Sequence, residues 1–161
     1  MHDLVMGKRL LNERRILVVE DEALIALDLH EALRDCGAIV VGPAGTPDEA
    51  LAIIKNGKVD CALLDIKLGD EDVSAVAVAL EGLAVPIIFV TAYSDERLPR
   101  GFETRPLVRK PYERRELLDL IASIVNADRC ANGEALSPDD RGPEGQPRRH
   151  LHNVVSSRAD S

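Results

Sequence analysis

Short apolar runs alternate with amphipathic helical segments from residue 15 to residue 127, and this alternation limits the folds open to the chain. A short apolar run bounded by polar residues is typical of a buried strand, whereas apolar residues that recur at helical spacing indicate a helix. The predicted strands cover residues 15–19, 38–42, 59–66, 86–91 and 107–110, and the predicted helices cover residues 23–36, 47–55, 72–82 and 112–127. Strands that alternate with helices predict an α/β fold with a parallel sheet covered on both faces.

The composition restricts both the core and the partners. Hydrophobic residues make up 45% of the chain but aromatic residues only 2%, so we expect an aliphatic core. The net charge of -8 argues against nucleic acid and anionic membranes as direct partners, because both attract basic surfaces. Because of this acidic charge, we expect no direct DNA binding. No apolar run approaches the roughly 20 residues of a transmembrane helix, so we also expect no membrane insertion.

The cysteines are few and odd in number. Cys36 and Cys61 fall inside apolar patterns, which predicts buried free thiols, and no spacing that includes Cys130 suits a zinc site. The first residues also lack the apolar core of a signal peptide. A reducing cytoplasm is therefore the expected location.

The pattern divides the chain into three parts. Residues 1–14 are predicted to be an N-terminal extension, residues 15–127 the folded domain, and residues 128–161 a disordered tail rich in Pro, Gly and Ser. A basic stretch at residues 148–150 fits either a small docking motif or a solvated tail. Nothing after residue 127 is long or hydrophobic enough for an output domain, so we expect a single-domain protein that acts through protein–protein contact.

Chemically active side chains stand where four of the predicted strands end. They are Glu20, Asp21, Asp65, Thr91 and Lys110. Because ligands of parallel α/β sheets bind outside the carboxyl ends of the strands, we expect these side chains to meet at one edge. Taken singly, each residue also has a structural interpretation, such as a helix start, a turn or a strand end.

The combination indicates phosphoryl chemistry. Three neighbouring carboxylates repel one another unless a cation joins them, and Mg²⁺ prefers oxygen ligands. The Asp65 carboxylate could then attack phosphorus, while Lys110 and the metal neutralise charge on the transferring group. The hydroxyl of Thr91 could donate a hydrogen bond to one phosphoryl oxygen.

Four segments resemble the signatures of response-regulator receiver domains. They are residues 16–22 (ILVVEDE), 64–66 (LDI), 90–92 (VTA) and 108–111 (VRKP), within a resemblance that covers about residues 15–126. The resemblance implies a flavodoxin-like (CheY-like), doubly wound sheet of five parallel strands in the order 2-1-3-4-5. It also implies that Asp65 is the phosphoacceptor and that the phosphoryl donor is a sensor histidine kinase or a histidine phosphotransfer protein.

The same resemblance implies a role for each residue around Asp65, which itself binds the metal. Asp21 would be a direct Mg²⁺ ligand, Glu20 would act through water, and Lys67 would offer its backbone carbonyl to the metal. Thr91 would be the switch hydroxyl and Lys110 the amine that pairs with the phosphoryl group. In the family the peptide bond between this lysine and the following proline is usually cis.

Position 107 departs from the usual receiver. Receivers commonly carry Tyr or Phe three residues before the lysine, as the side chain that reports movement of the threonine. Here that residue is Leu107, so an aromatic switch at this position is lacking. The signal is therefore expected to pass through the loop after Thr91, to a downstream regulatory protein.

The segment between Thr91 and Lys110 is also unusual, with 18 residues. Because it contains Pro99 and Gly101, we expect a fourth helix that is short, irregular or mobile, and a switch that orders this region. The segment is similar to that of the stand-alone receivers known as the FATGUY group. Tyr93 either shields the acyl phosphate from water or packs as a partly exposed ring on the loop.

Two other functions stay open beside a phosphoacceptor that catalyses only its own phosphorylation and dephosphorylation. One is an interaction module that binds partners without phosphorylation. The lack of an aromatic residue at position 107 favours this alternative more than it would be favoured in a usual receiver. The other is a metal-dependent phosphotransferase or phosphatase of a related α/β type. That class expects an aspartate two residues after the nucleophile, and Lys67 occupies that position.

Overall fold

The computed structural model describes residues 10–92 and 97–131, of which residues 128–131 are described by their backbone alone. Within these residues it contains seven strands and four helices. In chain order they are β1 (Arg15–Val19), α1 (Ala23–Asp35), β2 (Ile39–Ala44), α2 (Pro47–Asn56), β3 (Cys61–Asp65), β4 (Lys67–Leu68), β5 (Glu71–Asp72), α3 (Ser74–Gly82), β6 (Ile87–Thr91), β7 (Leu107–Arg109) and α4 (Arg114–Ala131).

Five strands form one parallel sheet in the order β2-β1-β3-β6-β7. Since β6 and β7 are the fourth and fifth of the predicted strands, the order 2-1-3-4-5 is confirmed. The central strands β3 and β6 are buried along their whole length, because helices cover both faces. Their carboxyl ends therefore reach the surface only at the edge of the sheet where ligands bind.

Two apolar clusters fill the space between the sheet and the helices. On one face, Leu33 of α1 and Ile121 of α4 pack against β1, β3 and β6. On the other face, Ile54 of α2 and Leu80 of α3 pack against the alternate side chains of the same strands. Successive side chains along each strand therefore belong alternately to one cluster and to the other. Cys36 and Cys61 are buried and form no disulfide bond, as predicted.

The second strand is longer than predicted and contains a bulge. It runs to Ala44, and its register against β1 shifts between Leu17 and Val19. Gly42 lies in the bulge with φ +99°, and a Cβ there would lie 3.0 Å from the carbonyl oxygen of Val18. Only glycine fits such a close approach of two backbones.

The segment after Asp65 differs from the prediction of a loop followed by a helix from residue 72. Strands β4 and β5 pair as a small antiparallel ribbon, with Gly69 at its turn. Helix α3 begins only at Ser74, because the Asp72 carboxylate accepts hydrogen bonds from the backbone N–H and the hydroxyl of Ser74. The ribbon sits directly after the phosphoacceptor candidate and holds Lys67.

Between β6 and β7, the described residues 97–106 contain turns and no helix. The Phe102 N–H donates to the carbonyl of Pro99 and the Arg105 N–H to that of Phe102, each at 3.0 Å. Gly101 takes φ +92°, a conformation that would interrupt a regular helix. These residues are irregular, as expected from their proline and glycine. Tyr93 lies outside the described residues.

Two boundaries reach past the predicted domain. Leu11 is fully buried among the residues of the α1 and α4 face, and its N–H donates to the carbonyl of Cys36 at 3.0 Å. At the other end, α4 continues to Ala131. Among the described residues, no helix combines the length and the apolar character needed to cross a membrane.

Leu11→Ala is expected to lower the free energy of unfolding by about 2–5 kcal/mol, because the truncated side chain leaves a cavity in the core. Urea denaturation followed by circular dichroism measures this loss. Leu24→Ala is the matched control, since Leu24 is 83% exposed on α1, and it should change the free energy by less than about 0.5 kcal/mol. Equal effects would contradict the inclusion of residue 11 in the folded unit.

Candidate functional site

Three carboxylates meet at the carboxyl ends of the neighbouring strands β1 and β3. One carboxylate oxygen from each of Glu20, Asp21 and Asp65 lies within 4.8 Å of the others. Glu20 is only 4% exposed and Asp65 only 7%, whereas Asp21 is exposed. The two buried carboxylates need a compensating positive charge, because an unpaired buried charge is strongly unfavourable.

Lys110 supplies that charge, although it is 90 residues away from Glu20 in the chain. Its ammonium nitrogen lies 2.6 Å from Oε2 of Glu20 and 3.0 Å from Oδ2 of Asp65. Lys110 follows β7, and its backbone N–H donates to the carbonyl of Thr91 at 2.7 Å, which fixes where the side chain starts. The Lys110–Pro111 peptide bond is cis, as the family resemblance implies.

Burial and the ion pair act in opposite directions on the pKa of Glu20 and on that of Lys110. Burial raises the pKa of the Glu20 carboxyl, and the hydrogen bond from Lys110 offsets part of that rise. Burial lowers the pKa of the Lys110 ammonium, but its hydrogen bonds to Glu20 and Asp65 outweigh that effect, so the pKa lies above its usual value. Lys110 is therefore positively charged at neutral pH and bridges two acidic side chains.

Each carboxylate of the cluster also accepts a hydrogen bond from a backbone N–H. Lys67 donates to Oδ1 of Asp65 at 3.2 Å. Glu22 donates to Oε1 of Glu20 at 3.0 Å, and Gly69 donates to Oδ2 of Asp21 at 3.0 Å. These bonds help to orient the carboxylates, because each one fixes the position of one carboxylate oxygen relative to the backbone. Sequence reasoning missed the contributions of Glu22 and Gly69, since a backbone N–H has no signature in residue type.

Thr91 and Leu107 occupy different places relative to this cluster. Thr91 is the last residue of β6, one position beyond the partner of Asp65, and is buried at the same edge of the sheet. Leu107 begins β7, pairs with Phe89 and packs partly buried on the α2 and α3 face. Of the residues predicted for the site, the structure thus brings Glu20, Asp21, Asp65 and Lys110 into one cluster, with the backbone of Lys67 beside it. Leu107 lies below the edge.

The donor set suits a hard divalent cation. All three side chains offer oxygen, and the ligand atoms are close enough to share one ion. Mg²⁺ takes such ligands and keeps waters and phosphate oxygens in the rest of its shell. The arrangement therefore combines a buried nucleophilic carboxylate, an ammonium and a candidate metal site at one edge.

Comparison with known proteins gives one family and several relatives. A family model described as the response regulator receiver domain matches residues 16–122. The transcriptional regulatory protein PdtaR of Mycobacterium tuberculosis is 33% identical over 135 residues, which cover 80% of this chain and 66% of PdtaR. The chain thus spans just under two thirds of the length of PdtaR.

Solved structures show the same similarity. The crystal structure of the response regulator PhyR from Brucella abortus superposes with a TM-score of 0.66 at 31% identity, over 80% of this chain and 54% of that one. The solution structure of the BeF3-activated conformation of SdrG from Pseudomonas melonis gives a TM-score of 0.59 at 36% identity, over 69% of this chain and 95% of SdrG. The fold predicted from the alternating pattern is confirmed by these neighbours.

Proposed function

This chain belongs to the response regulator receiver domain family, and from that membership we propose that Asp65 accepts a phosphoryl group from a phosphohistidine in a Mg²⁺-dependent reaction. The observation that carries the proposal is the contact of the Lys110 ammonium with both Asp65 and Glu20. This contact places a fixed positive charge beside the carboxylate that would receive the phosphoryl group. A positive charge so placed stabilises the negative charge of a transferring phosphoryl group.

The Asp65 carboxylate supplies the nucleophile. One oxygen attacks phosphorus and forms the new O–P bond, while the N–P bond of the donor breaks and its electron pair remains on the imidazole nitrogen. The hydrogen bond from the Lys67 N–H to Oδ1 and the contact of Lys110 with Oδ2 hold the carboxylate in a fixed orientation. Water later hydrolyses the acyl phosphate, which returns Asp65 to its carboxylate form and releases inorganic phosphate.

The remaining site residues would bind the metal and one phosphoryl oxygen. The carboxylates of Asp21 and Asp65 and the backbone carbonyl of Lys67 would hold Mg²⁺, with Glu20 acting through water. When bound, Mg²⁺ supplies positive charge to the phosphoryl oxygens. The Thr91 hydroxyl donates a hydrogen bond to a phosphoryl oxygen, which draws the end of β6 toward the site.

The proposed biological role is that of a receiver that signals by protein–protein contact in the cytoplasm. Its phosphoryl donor is a sensor histidine kinase or a histidine phosphotransfer protein, and its output is contact with a downstream regulatory protein. The family membership and the acidic cluster support this role. The chain then catalyses only its own phosphorylation and dephosphorylation.

Incubation of the full chain with acetyl phosphate and Mg²⁺ tests the proposal. Intact-mass spectrometry should show addition of one phosphoryl group per chain, and hydroxylamine should remove it, because hydroxylamine cleaves acyl phosphates. Chelation of the metal with EDTA should reduce the label below detection, since the three carboxylates then repel the anionic donor. Excess Mg²⁺ added after EDTA should restore it.

Two outcomes would contradict the phosphoacceptor function. A label that resists hydroxylamine or persists in EDTA would show that the carboxylate cluster is not the acceptor site. An absence of label with acetyl phosphate and with phosphorylated histidine kinases, in a chain that still binds a partner protein, would instead support an interaction module that works without phosphorylation.

A further inference from the structure

The two phenylalanines of the chain contact each other, and one of them lies in the irregular segment between β6 and β7. The ring centroids of Phe89 and Phe102 lie 6.0 Å apart with an edge-to-face angle of 69°. Phe89 is part of β6, whereas Phe102 comes from the irregular residues 97–106 and is only 2% exposed. A largely polar segment therefore inserts one aromatic ring into the core on the α2 and α3 face.

Phe89 connects this aromatic pair to the proposed switch residue. Phe89 and Thr91 are two positions apart on β6, so their side chains leave the strand on the same face. The backbone N–H of Phe89 donates to the carbonyl of Pro106 at 2.9 Å, and Phe89 pairs with Leu107 on β7. Phe89 thus joins the end of β6 to β7 through its backbone and to Phe102 through its ring.

Phe102 connects the pair to the rest of its segment and to α3. Its N–H and its carbonyl both take part in the turns formed with Pro99 and Arg105. The Arg105 guanidinium in turn lies 3.1 Å from the Glu81 carboxylate on α3. Two backbone hydrogen bonds and one ion pair therefore connect Phe102 to its own segment and to the surface of α3.

We propose that Phe102 is the relay residue of this receiver, and that it takes the place of the aromatic side chain that position 107 lacks. The inference rests on the proposed function of Asp65. When the Thr91 hydroxyl turns toward the phosphoryl group, the end of β6 moves, the contact between Phe89 and Phe102 changes, and residues 97–106 are repositioned. The aromatic readout is thus supplied from the loop rather than from β7.

Hydrogen–deuterium exchange with and without Mg²⁺ and beryllofluoride, a phosphoryl mimic, tests the relay on the full chain. In the wild type, amide exchange in residues 97–106 is expected to slow by roughly threefold or more when the mimic binds. Phe102→Leu should lose most of that difference yet bind beryllofluoride with an affinity within about twofold of the wild type, measured by fluorine NMR. A role in packing alone would not remove the state-dependent difference.

Leu80→Ala is the matched control, since Leu80 is a fully buried side chain of the same apolar cluster on α3. This variant should be less stable but keep the wild-type difference in exchange. A wild-type difference in Phe102→Leu, or an equal loss in Leu80→Ala, would overturn the relay. If the wild type binds the mimic without any change in residues 97–106, the relay is wrong and the phosphoacceptor function stands. If it binds no mimic and takes no label from acetyl phosphate, both are wrong.

Discussion

Asp65→Asn is expected to accept no detectable phosphoryl group from acetyl phosphate under conditions in which the wild type is labelled. The carboxamide has nearly the shape of the carboxylate but is not a nucleophile toward phosphorus. Its oxygen can still accept the hydrogen bond from the Lys67 N–H, and Lys110 keeps Glu20 as a partner. The expected loss is therefore one of chemistry, with the fold retained.

The measurement is intact-mass spectrometry over a time course, with circular dichroism to show that the variant is folded. Asp70→Asn is the matched control, because it removes the same charge from an exposed residue at the turn of the β4–β5 ribbon. This control should be labelled at close to the wild-type rate. Labelling of Asp65→Asn at the wild-type level would place the acceptor on another residue and would sink the central proposal.

Lys110→Met is expected to slow phosphorylation of Asp65 by about 10²–10³-fold at saturating Mg²⁺. The substitution keeps the unbranched aliphatic stem but removes the positive charge that lies 3.0 Å from Oδ2 of Asp65. Loss of one preorganised donor to a developing anion typically costs a factor of this size. The rate of label incorporation from acetyl phosphate measures the effect, and Lys55→Met, an exposed lysine of α2, is the matched control.

The same substitution should tighten Mg²⁺ binding in the absence of any phosphoryl donor. In the wild type, Lys110 neutralises Glu20 and Asp65, so a metal ion at this cluster is repelled by the lysine's positive charge. Two like charges 4 Å apart repel by about 4 kcal/mol at an effective dielectric constant of 20, so an affinity gain of roughly tenfold is a modest expectation. Isothermal titration calorimetry measures it. An unchanged or weaker affinity would show that Lys110 and the metal do not compete for this cluster.

Much of the fold follows from the periodicity of the sequence. Five apolar runs between helical patterns predicted the parallel sheet, because buried strands and amphipathic helices leave different spacings of apolar residues. The β4–β5 ribbon was missed, since Lys67 to Asp72 is mostly polar and its acids resemble a helix start. Leu11 and Phe102 were also missed as core residues, because one or two apolar residues in a polar segment show no helical or strand period.

The candidate site was predictable to a similar degree and for a geometric reason. Parallel strands end at one edge, so the residues at the ends of β1 and β3 were expected to be neighbours. Lys110 follows β7, which is two strands from β3, and its long side chain spans that distance. The sequence could not show that Lys110 lies closer to Glu20 than to Asp65, because that depends on side-chain conformation. It also could not show which N–H groups orient the carboxylates, since every residue but proline has one.

The contact between Glu20 and Lys110 joins groups 90 residues apart in the chain. Because Lys110 follows the last strand of the sheet, a chain that has not yet docked β7 holds the carboxylates without their ammonium. Under the proposed function, an incompletely folded copy is thus a poor acceptor and consumes little of the donor's phosphoryl supply. Competence for phosphorylation then depends on the docking of the last strand of the sheet.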